Sequence, residues 1–245
     1  MMRKFFKGEH NMNEQELSQR LTVVGNAVPK GARLADIGSD HAYLPVALML
    51  AGKISYAVCG EVVKGPFHSA QKQVAKSGLN NQIVVRLADG LAAIEAGDEI
   101  DTITIAGMGG TLIASILEDG KTNGQLSGKE RLVLQPNVGE QNVRRWLQKE
   151  GYGILTESIL AENDKIYEVI VAKKTAVKKE LSPIEIFFGP HLLAEKNSVF
   201  LKKWQQEQQA LEKVLGQLQK AKVVPEKKVN EIKQELAWIK EALTC

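Results

Sequence analysis

Cysteine is scarce in this chain of 245 residues, which has only Cys59 and Cys245. Neither cysteine has the spacing of a metal-ligand motif, so we expect no metal site, and a disulfide is not expected either. Cys59 stands in an apolar stretch and is interpreted as a buried thiol. This cysteine usage predicts a protein of the reducing cytoplasm.

Long apolar runs are also missing. No run approaches the roughly 18 residues of a membrane-spanning helix, so no membrane association is expected. The first ten residues are basic and include Phe5 and Phe6, but they lack the apolar stretch and cleavage site of a signal peptide. Because the patterned sequence begins at Met12, we interpret residues 1–11 as a loose N-terminal extension.

Charge is unevenly distributed along the chain. The whole sequence has 32 Lys and Arg against 29 Asp and Glu, a net charge of +3. Residues 173–245 hold 14 of these basic and 9 of these acidic residues, which leaves 18 and 20 for the rest of the chain. A C-terminal part of +5 on a body of −2 favours a nucleic-acid partner.

Strand-like and helix-like patterns alternate through residues 12–175, which we interpret as one catalytic domain. A first helix is predicted over residues 13–28, where Asn13 and Glu16 have the spacing of a capping box. Five strands that alternate with helices follow and predict a mostly parallel sheet with helices on both faces. The predicted strands are residues 33–37, 56–62, 83–87, 102–106 and 131–134, and the predicted helices lie near 44–51, 69–77, 111–117 and 140–149.

Two further strands, residues 154–159 and 167–172, are predicted on either side of the turn pair Asn163-Asp164. Strands joined by a turn run antiparallel, so one antiparallel strand is expected at the edge of the sheet. Seven strands of which one is antiparallel fit the Rossmann-like α/β sheet of class I methyltransferases better than the six-stranded sheet of dehydrogenases.

The apolar period changes in residues 182–245, where two heptad stretches flank Pro225. This pattern predicts an antiparallel coiled-coil helical hairpin as a second domain. The hairpin could act as a packing arm or a dimer seam, or its lysines could hold RNA phosphates. The apolar positions are Phe200, Trp204, Leu211, Val214, Leu218, Val229, Ile232, Leu236, Ile239 and Leu243, and the lysines considered are Lys202, Lys203, Lys213, Lys220, Lys222, Lys227 and Lys228.

Polar residues and glycines follow each predicted parallel strand, where open α/β sheets bind their ligands. The first strand leads into residues 36–42 (DIGSDHA), and Glu61 and Asp89-Gly90 follow the next two. Three acids at these positions suit a cationic nucleoside such as S-adenosylmethionine (SAM), and Glu61 could accept hydrogen bonds from ribose hydroxyls. A glycine-rich stretch, residues 106–110 (AGMGG), and Gln135-Pro136-Asn137 are predicted to form the loops after the fourth and fifth strands.

A nicotinamide-dependent dehydrogenase is the rival reading of the first strand and loop. The Gly-x-Gly-x-x-Gly signature of that class is missing, and the Asp40 carboxylate would repel a pyrophosphate. Other open alternatives are a class I methyltransferase acting on another RNA, a small molecule or a protein, and a non-catalytic RNA-binding protein.

Several segments together resemble the TrmK family of bacterial tRNA (adenine-22-N1)-methyltransferases. They are residues 36–45 (DIGSDHAYLP), 65–66 (GP), 89–90 (DG), 105–110 (IAGMGG) and 135–137 (QPN). The resemblance covers about residues 12–245. It implies SAM as the cofactor, tRNA as the substrate, and methylation of N1 of adenine 22.

The resemblance also implies roles for individual residues. The cofactor would lie over Gly38, with Glu61 on its ribose, Asp89 at its adenine, and Gly107 and Met108 along its side. The target adenine would enter near Asp40, Tyr43 and Asn137, which are the predicted catalytic residues. The full set of predicted cofactor-binding residues is Asp36, Gly38, Ser39, His41, Glu61, Asp89, Gly90, Gly107 and Met108.

The expected reaction needs few catalytic side chains. The Asn/Asp-Pro-Pro-aromatic motif of amino-methylating enzymes is absent after the fourth strand, which agrees with a ring nitrogen as the nucleophile. The Asp40 carboxylate would favour the cationic product. Tyr43 either stacks on the base or packs against the sheet. The oligomeric state stays open, with a monomer slightly favoured.

Overall fold

The computed structural model describes residues 17–176, 180–220 and 225–244. Several features predicted from the sequence lie outside the described residues. They are the N-terminal extension, the capping pair Asn13 and Glu16, Lys222 and Cys245.

Seven strands form one sheet in the order β3-β2-β1-β4-β5-β7-β6. β7 pairs antiparallel with both of its neighbours, whereas β1–β5 pair in parallel. The predicted sheet of seven strands with one antiparallel strand is confirmed. The strands are β1 (Ala32–Ile37), β2 (Ile54–Glu61), β3 (Ile83–Leu87), β4 (Thr102–Gly109), β5 (Arg131–Val138), β6 (Tyr152–Glu162) and β7 (Lys165–Lys174).

The predicted place of the antiparallel strand at the edge is wrong, because β7 lies between β5 and β6. The turn itself is as predicted, with Asn163 and Asp164 at φ of 49° and 60°. The burial patterns of β6 and β7 agree with this strand order. β7 buries five consecutive residues from Glu168 to Ala172, as an interior strand does, whereas burial along β6 is interrupted by exposed residues, as at an edge.

Helices cover both faces of the sheet and build two apolar clusters. Residues of α1–α3 pack in one cluster, which includes Val24, Val46 and Val74, and residues of α4 and α5 pack in the other, which includes Ile113 and Trp146. These helices are α1 (Gln19–Ala27), α2 (Tyr43–Leu50), α3 (Lys64–Lys76), α4 (Gly110–Thr122) and α5 (Glu140–Lys149). Ser18 caps the described α1, and its side chain accepts the N–H of Leu21.

The predicted loops after the fourth and fifth strands are wrong, because both strands continue through them. β4 extends to Gly109 and β5 to Val138, and Met108 pairs with Pro136. The register shifts on both sides of Met108. Such an irregularity lets a proline, which has no N–H to donate, stay within a strand. Residues 107–109 and 135–137 are therefore held by pairing and are not free loops.

Four helices follow β7 among the described residues, and the two long ones that correspond to the predicted hairpin begin at Ser198 rather than near residue 182. These helices are α6 (Pro183–Phe188), α7 (Pro190–Glu195), α8 (Ser198–Leu218) and α9 (Glu226–Thr244). The first turns of α8 and the last turns of α9 share one apolar cluster, so the two long helices run antiparallel. The coiled-coil geometry of this pair stays a prediction. In the described part of the chain, no helix is long and apolar enough to cross a membrane.

An aromatic cluster attaches the C-terminal helices to the sheet. Phe187, Phe188, Phe200 and Trp204 contact one another with ring centroids 4.5–6.1 Å apart. Ile159 of β6 belongs to the same cluster. The C-terminal helices therefore share a core with the sheet.

A buried ionic network ties the same two parts together. Arg144 of α5 is fully buried and binds Glu157 of β6 at 2.8 Å and Glu168 of β7 at 2.5 Å. Lys203 of α8 binds Glu168 at 2.7 Å and Glu140 at 2.6 Å. Burial alone would lower the pKa of Lys203, but the two carboxylates raise it above its ordinary value. Lys203 is therefore committed to an internal contact, and its predicted place among the phosphate-holding lysines is wrong.

We expect Arg144→Met to destabilise the protein by about 3–5 kcal/mol, because it leaves Glu157 and Glu168 buried with one cationic partner fewer. Urea unfolding at neutral pH measures the loss. Arg145→Met is the matched control, since Arg145 is the next residue of α5 and is exposed. The control should change stability by less than about 0.5 kcal/mol. A loss below 1 kcal/mol in Arg144→Met would contradict the importance of the network.

Candidate active site

A cavity of about 340 Å³ lies where β1, β4 and β5 end. Its described lining combines the last residues of these strands and the turn after β1 with residues of α1, α2 and β7. Of the residues predicted for the site, the cavity brings together Asp36, Gly38, Ser39, Asp40, Tyr43, Gly107, Met108 and Asn137. The other predicted residues, His41, Glu61, Asp89 and Gly90, are not among its lining residues.

The turn after β1 has an unusual backbone. Gly38 has a φ of +68°, and Asp40, His41 and Ala42 follow with φ of 41°, 68° and 59°. Left-handed conformations cost energy in residues with a side chain, so three in succession indicate a turn held by its surroundings. The N–H of Gly38 donates to the carbonyl of Gly60 at 2.9 Å, which ties the turn to β2.

The side chains of this turn reach the mouth of the cavity. The Asp40 side chain is 74% exposed, and one of its carboxylate oxygens lies 3.5 Å from Nε2 of His41. The His41 ring in turn lies 5.5 Å from the Tyr43 ring. The turn therefore places a carboxylate and an aromatic ring at the same opening.

Asp36 lies near the end of β1, directly before the turn. Its carboxylate is buried and accepts the hydroxyl of Thr104 at 2.5 Å, which joins β1 to β4. Burial raises the pKa of this carboxyl, and the hydroxyl hydrogen bond offsets part of the effect. The contact makes Asp36 part of the scaffold under the cavity as well as part of its lining.

Met108 lies across Gly38. A Cβ atom added at Gly38 would be 2.1 Å from the terminal methyl of Met108, so no larger residue fits there without displacing that side chain. The positive φ of Gly38 also favours glycine at this position. The close approach brings the ends of β1 and β4 into contact at the floor of the cavity.

Gln135 and Asn137 connect β5 to the bulge of β4. Gln135 is fully buried, and its oxygen accepts the N–H of Gly107 at 2.9 Å while its amide donates to the carbonyl of Pro136 at 2.8 Å. Asn137 is exposed and donates to the carbonyl of Gly107 at 2.7 Å. Of the two amides considered from the sequence, Asn137 is therefore the one within reach of a ligand.

Arg20 and Tyr167 are cavity residues that sequence reasoning missed. Nη1 of Arg20 donates to the Gln135 oxygen at 2.5 Å, and its guanidinium lies 5.5 Å from the centre of the Tyr167 ring. Both residues belong to elements predicted from the sequence, the first helix and the last strand. No local pattern shows that these elements reach the site, because their docking depends on the whole sheet.

A second hollow of about 380 Å³ lies beyond β2 and β3 and is lined by Val62, Leu87, Ala88 and Asp89. Val62 and Leu87 are exposed, which leaves an apolar surface beside the Asp89 carboxylate. Gly90 lies under this hollow with a φ of +51°, and a Cβ there would press on Ile116 at 3.1 Å. Packing against α4 therefore favours glycine at this position.

Glu61 contacts a residue that lines each hollow, Asp40 of the first and Ala88 of the second. Its carbonyl accepts the N–H of Ala88 at 2.8 Å, and its carboxylate accepts the backbone N–H of Asp40. The side chain is buried, yet Oε1 has no hydrogen-bond partner, and neither does the buried hydroxyl of Ser39. Burial raises the pKa of the Glu61 carboxyl. Buried polar atoms without partners are uncommon, and these two suit a ligand that carries hydroxyl groups.

No group of three or more metal-ligating side chains occurs among the residues that the structure describes.

Comparison with known proteins identifies the family. Residues 34–241 match the family described as TrmK, tRNA (adenine(22)-N(1))-methyltransferase. The chain belongs to this family. A tRNA (adenine(22)-N(1))-methyltransferase of Bacillus subtilis is 48% identical over 238 residues, which cover 95% of this chain and 99% of that protein.

Two solved structures are similar to nearly the whole chain. The B. subtilis m1A22 tRNA methyltransferase TrmK has a TM-score of 0.87 at 47% identity, covering 94% of this chain and 99% of that one. A Streptococcus pneumoniae putative tRNA (m1A22) methyltransferase, solved in complex with S-adenosyl-L-methionine, has a TM-score of 0.84 at 46% identity. That match covers 93% of this chain and 100% of that one.

We expect Glu61→Gln to raise stability by about 1 kcal/mol at pH 7, because it removes a buried charge whose second oxygen has no partner. The folded-state pKa of Glu61 is raised, so its ionisation opposes folding above that pKa. Below the ordinary glutamate pKa, both states hold the proton and the gain should vanish. Urea unfolding at pH 7 and at pH 4 measures both effects.

The exposed Glu241→Gln serves as the control and should show no such pH-dependent gain. If Glu61→Gln is instead less stable than the parent at pH 7, the carboxylate stabilises the fold and the interpretation of Glu61 as a destabilising group is wrong.

Proposed function

We propose that this protein transfers the methyl group of SAM to N1 of adenine 22 in tRNA, with the two hollows and Glu61 as its active site. The activity follows from membership of a family that carries this name and from a B. subtilis relative matched over 99% of its length. The observation that carries the assignment of the site is the buried Glu61 carboxylate, which has one oxygen without a partner and belongs to a residue in contact with Asp40 and Ala88, one from the lining of each hollow.

SAM, when bound, supplies a methyl group activated by a positively charged sulfur. The residues present fit it. Glu61 Oε1 and the Ser39 hydroxyl lack partners that ribose hydroxyls and other polar groups of the cofactor would supply. Val62 and Leu87 offer an apolar surface for a planar base, with Asp89 at its edge.

The remaining predicted cofactor residues have supporting positions in this assignment. Gly38, Gly107 and Met108 line the first hollow, and Asp36 holds the turn from below. His41 acts through its contact with Asp40, and Gly90 shapes the floor of the second hollow. Their roles as cofactor-binding residues rest on these positions and on the resemblance to the family.

The target base would occupy the first hollow. Adenine N1 already carries an in-plane lone pair, so no side chain has to remove a proton and catalysis consists mainly of positioning. Asp40 would place a carboxylate beside the base as it becomes cationic. Tyr43 would stack against the base, and the amide of Asn137 would donate or accept a hydrogen bond at the edge of the base.

The exposed lysines of α8 and α9 would hold tRNA phosphates away from the active site. Lys202 and Lys213 are exposed on α8, Lys227 and Lys228 on α9, and Lys220 just after α8. Lys203 is excluded because its ammonium binds Glu140 and Glu168 in the ionic network. The cytoplasmic location and the monomeric state stay predictions.

We expect wild-type protein to methylate A22 of unmodified tRNA, and Asp40→Asn to lower kcat by about 10- to 100-fold, because the amide cannot balance the cationic base. Asparagine accepts a left-handed backbone, so the turn should persist. Single-turnover methyl transfer, followed by nucleoside analysis, measures both results.

SAM affinity measured by calorimetry should stay within a few-fold in Asp40→Asn. Asp119→Asn, an exposed change on α4, is the control and should leave the rate unchanged. Product found at another nucleotide, or no product, would refute the proposed function. A wild-type rate in Asp40→Asn would remove only the role of Asp40.

We expect Lys202→Glu/Lys213→Glu/Lys227→Glu to weaken tRNA binding and to flatten its salt dependence, because phosphate contacts release counterions. The matched control is Lys30→Glu/Lys129→Glu/Lys173→Glu, which changes three exposed lysines. It makes the same charge change where β1 and β5 begin and β7 ends, at the edge of the sheet opposite the cavity. Filter binding from 50 to 200 mM salt compares the two triple variants. Equal losses of tRNA affinity in the two triple variants would mean that only the net charge of the protein matters and that α8 and α9 hold no phosphates.

A further inference from the structure

Arg20 is the only cationic residue among the described residues that line the first hollow. It lies in the first turn of α1 and is partly buried. Its guanidinium is oriented by the hydrogen bond to Gln135 and by the Tyr167 ring. A guanidinium has five N–H donors, and these two contacts engage only one of them.

The charges of the hollow are separated. Asp36 and Asp40 lie after β1, whereas Arg20 approaches from α1 on the side of Gln135 and Tyr167. A base that becomes cationic is attracted to the carboxylates and repelled by the arginine. A nucleotide in this hollow would therefore point its base toward Asp40 and its backbone toward Arg20.

We propose that Arg20 binds a phosphate group attached to the target nucleoside and so fixes the direction in which the nucleotide enters the site. The inference rests on the proposed function and adds to it a subsite for the RNA backbone. Arginine suits this role because its planar fork matches a phosphate group.

The backbone at the start of α1 is not an alternative donor. The N–H groups of Gln19 and Arg20 face the Glu162 carboxylate, at 2.6 Å and 3.4 Å. A phosphate at this position would therefore depend on the side chain of Arg20.

A purely structural role for Arg20 predicts a different result. Through Gln135, Arg20 also braces the bulge at Gly107, so loss of activity in a variant would not by itself identify a phosphate contact. Arg20→Gln removes the charge while keeping an amide that can donate to Gln135. The phosphate contact is tested by changing the RNA as well as the protein.

The experiment uses tRNA with a single neutral methylphosphonate linkage on the 5′ or the 3′ side of A22. Methyl-transfer kcat/KM is measured for wild type and Arg20→Gln on each RNA. We expect one neutral linkage to cost wild type about tenfold, the usual scale of one charge-assisted contact. On ordinary tRNA, the kcat/KM of Arg20→Gln should be about tenfold below that of wild type. The neutral linkage should not lower it further, so the effects of the protein change and the RNA change are not additive.

Arg145→Gln, an exposed change on α5, is the matched control. The neutral linkage should lower its kcat/KM by as much as it lowers that of wild type. Additive losses in Arg20→Gln at both linkages, or no loss in wild type at either, would overturn the inference while the proposed function stands. Absence of A22 methylation by wild type on ordinary tRNA would refute the proposed function and this inference with it.

Discussion

The parallel alignment of β1, β2, β4 and β5 is the constraint on which the site depends. Parallel strands end at one edge of the sheet, and β1 lies between β2 and β4, where successive connections diverge to opposite sides. Residues far apart in the chain, such as Asp40 and Asn137, therefore line one cavity. The pairing of β1 with β4 is reinforced within the site by the hydrogen bond between Thr104 and Asp36.

The site contains several arrangements that oppose folding. Three left-handed residues follow Gly38, and the Glu61 carboxylate is buried with one oxygen unsatisfied. Such costs persist only where the surrounding structure is stable enough to impose them. Here the surroundings include two apolar clusters on the sheet faces and a third beneath the C-terminal helices. A ligand that satisfies Glu61 would recover part of the cost, which links stability to binding.

The ionic network connects the C-terminal helices to the site. Lys203 of α8 binds Glu140, three residues after Asn137, and Glu168, the residue after Tyr167. Both Asn137 and Tyr167 line the first hollow. The helices proposed to hold tRNA are therefore joined by ion pairs to α5 and β7, next to two residues that line the proposed place of the target base. Because buried charges need their partners, the two parts are expected to keep one relative position.

Much of the architecture is determined by the sequence itself. Alternating apolar patterns predict the strand count and the turn at Asn163-Asp164, and the acids and glycines after the strands mark the edge that carries the site. These features are local, since a period of two or a turn residue acts on its own segment. Only the tertiary structure decided that β7 lies inside the sheet, that Lys203 is internal, that residues 107–109 continue a strand, and that Arg20 reaches the cavity. The reason is physical: a side chain's exposure and partners depend on which distant surface packs against it, and no short pattern records that.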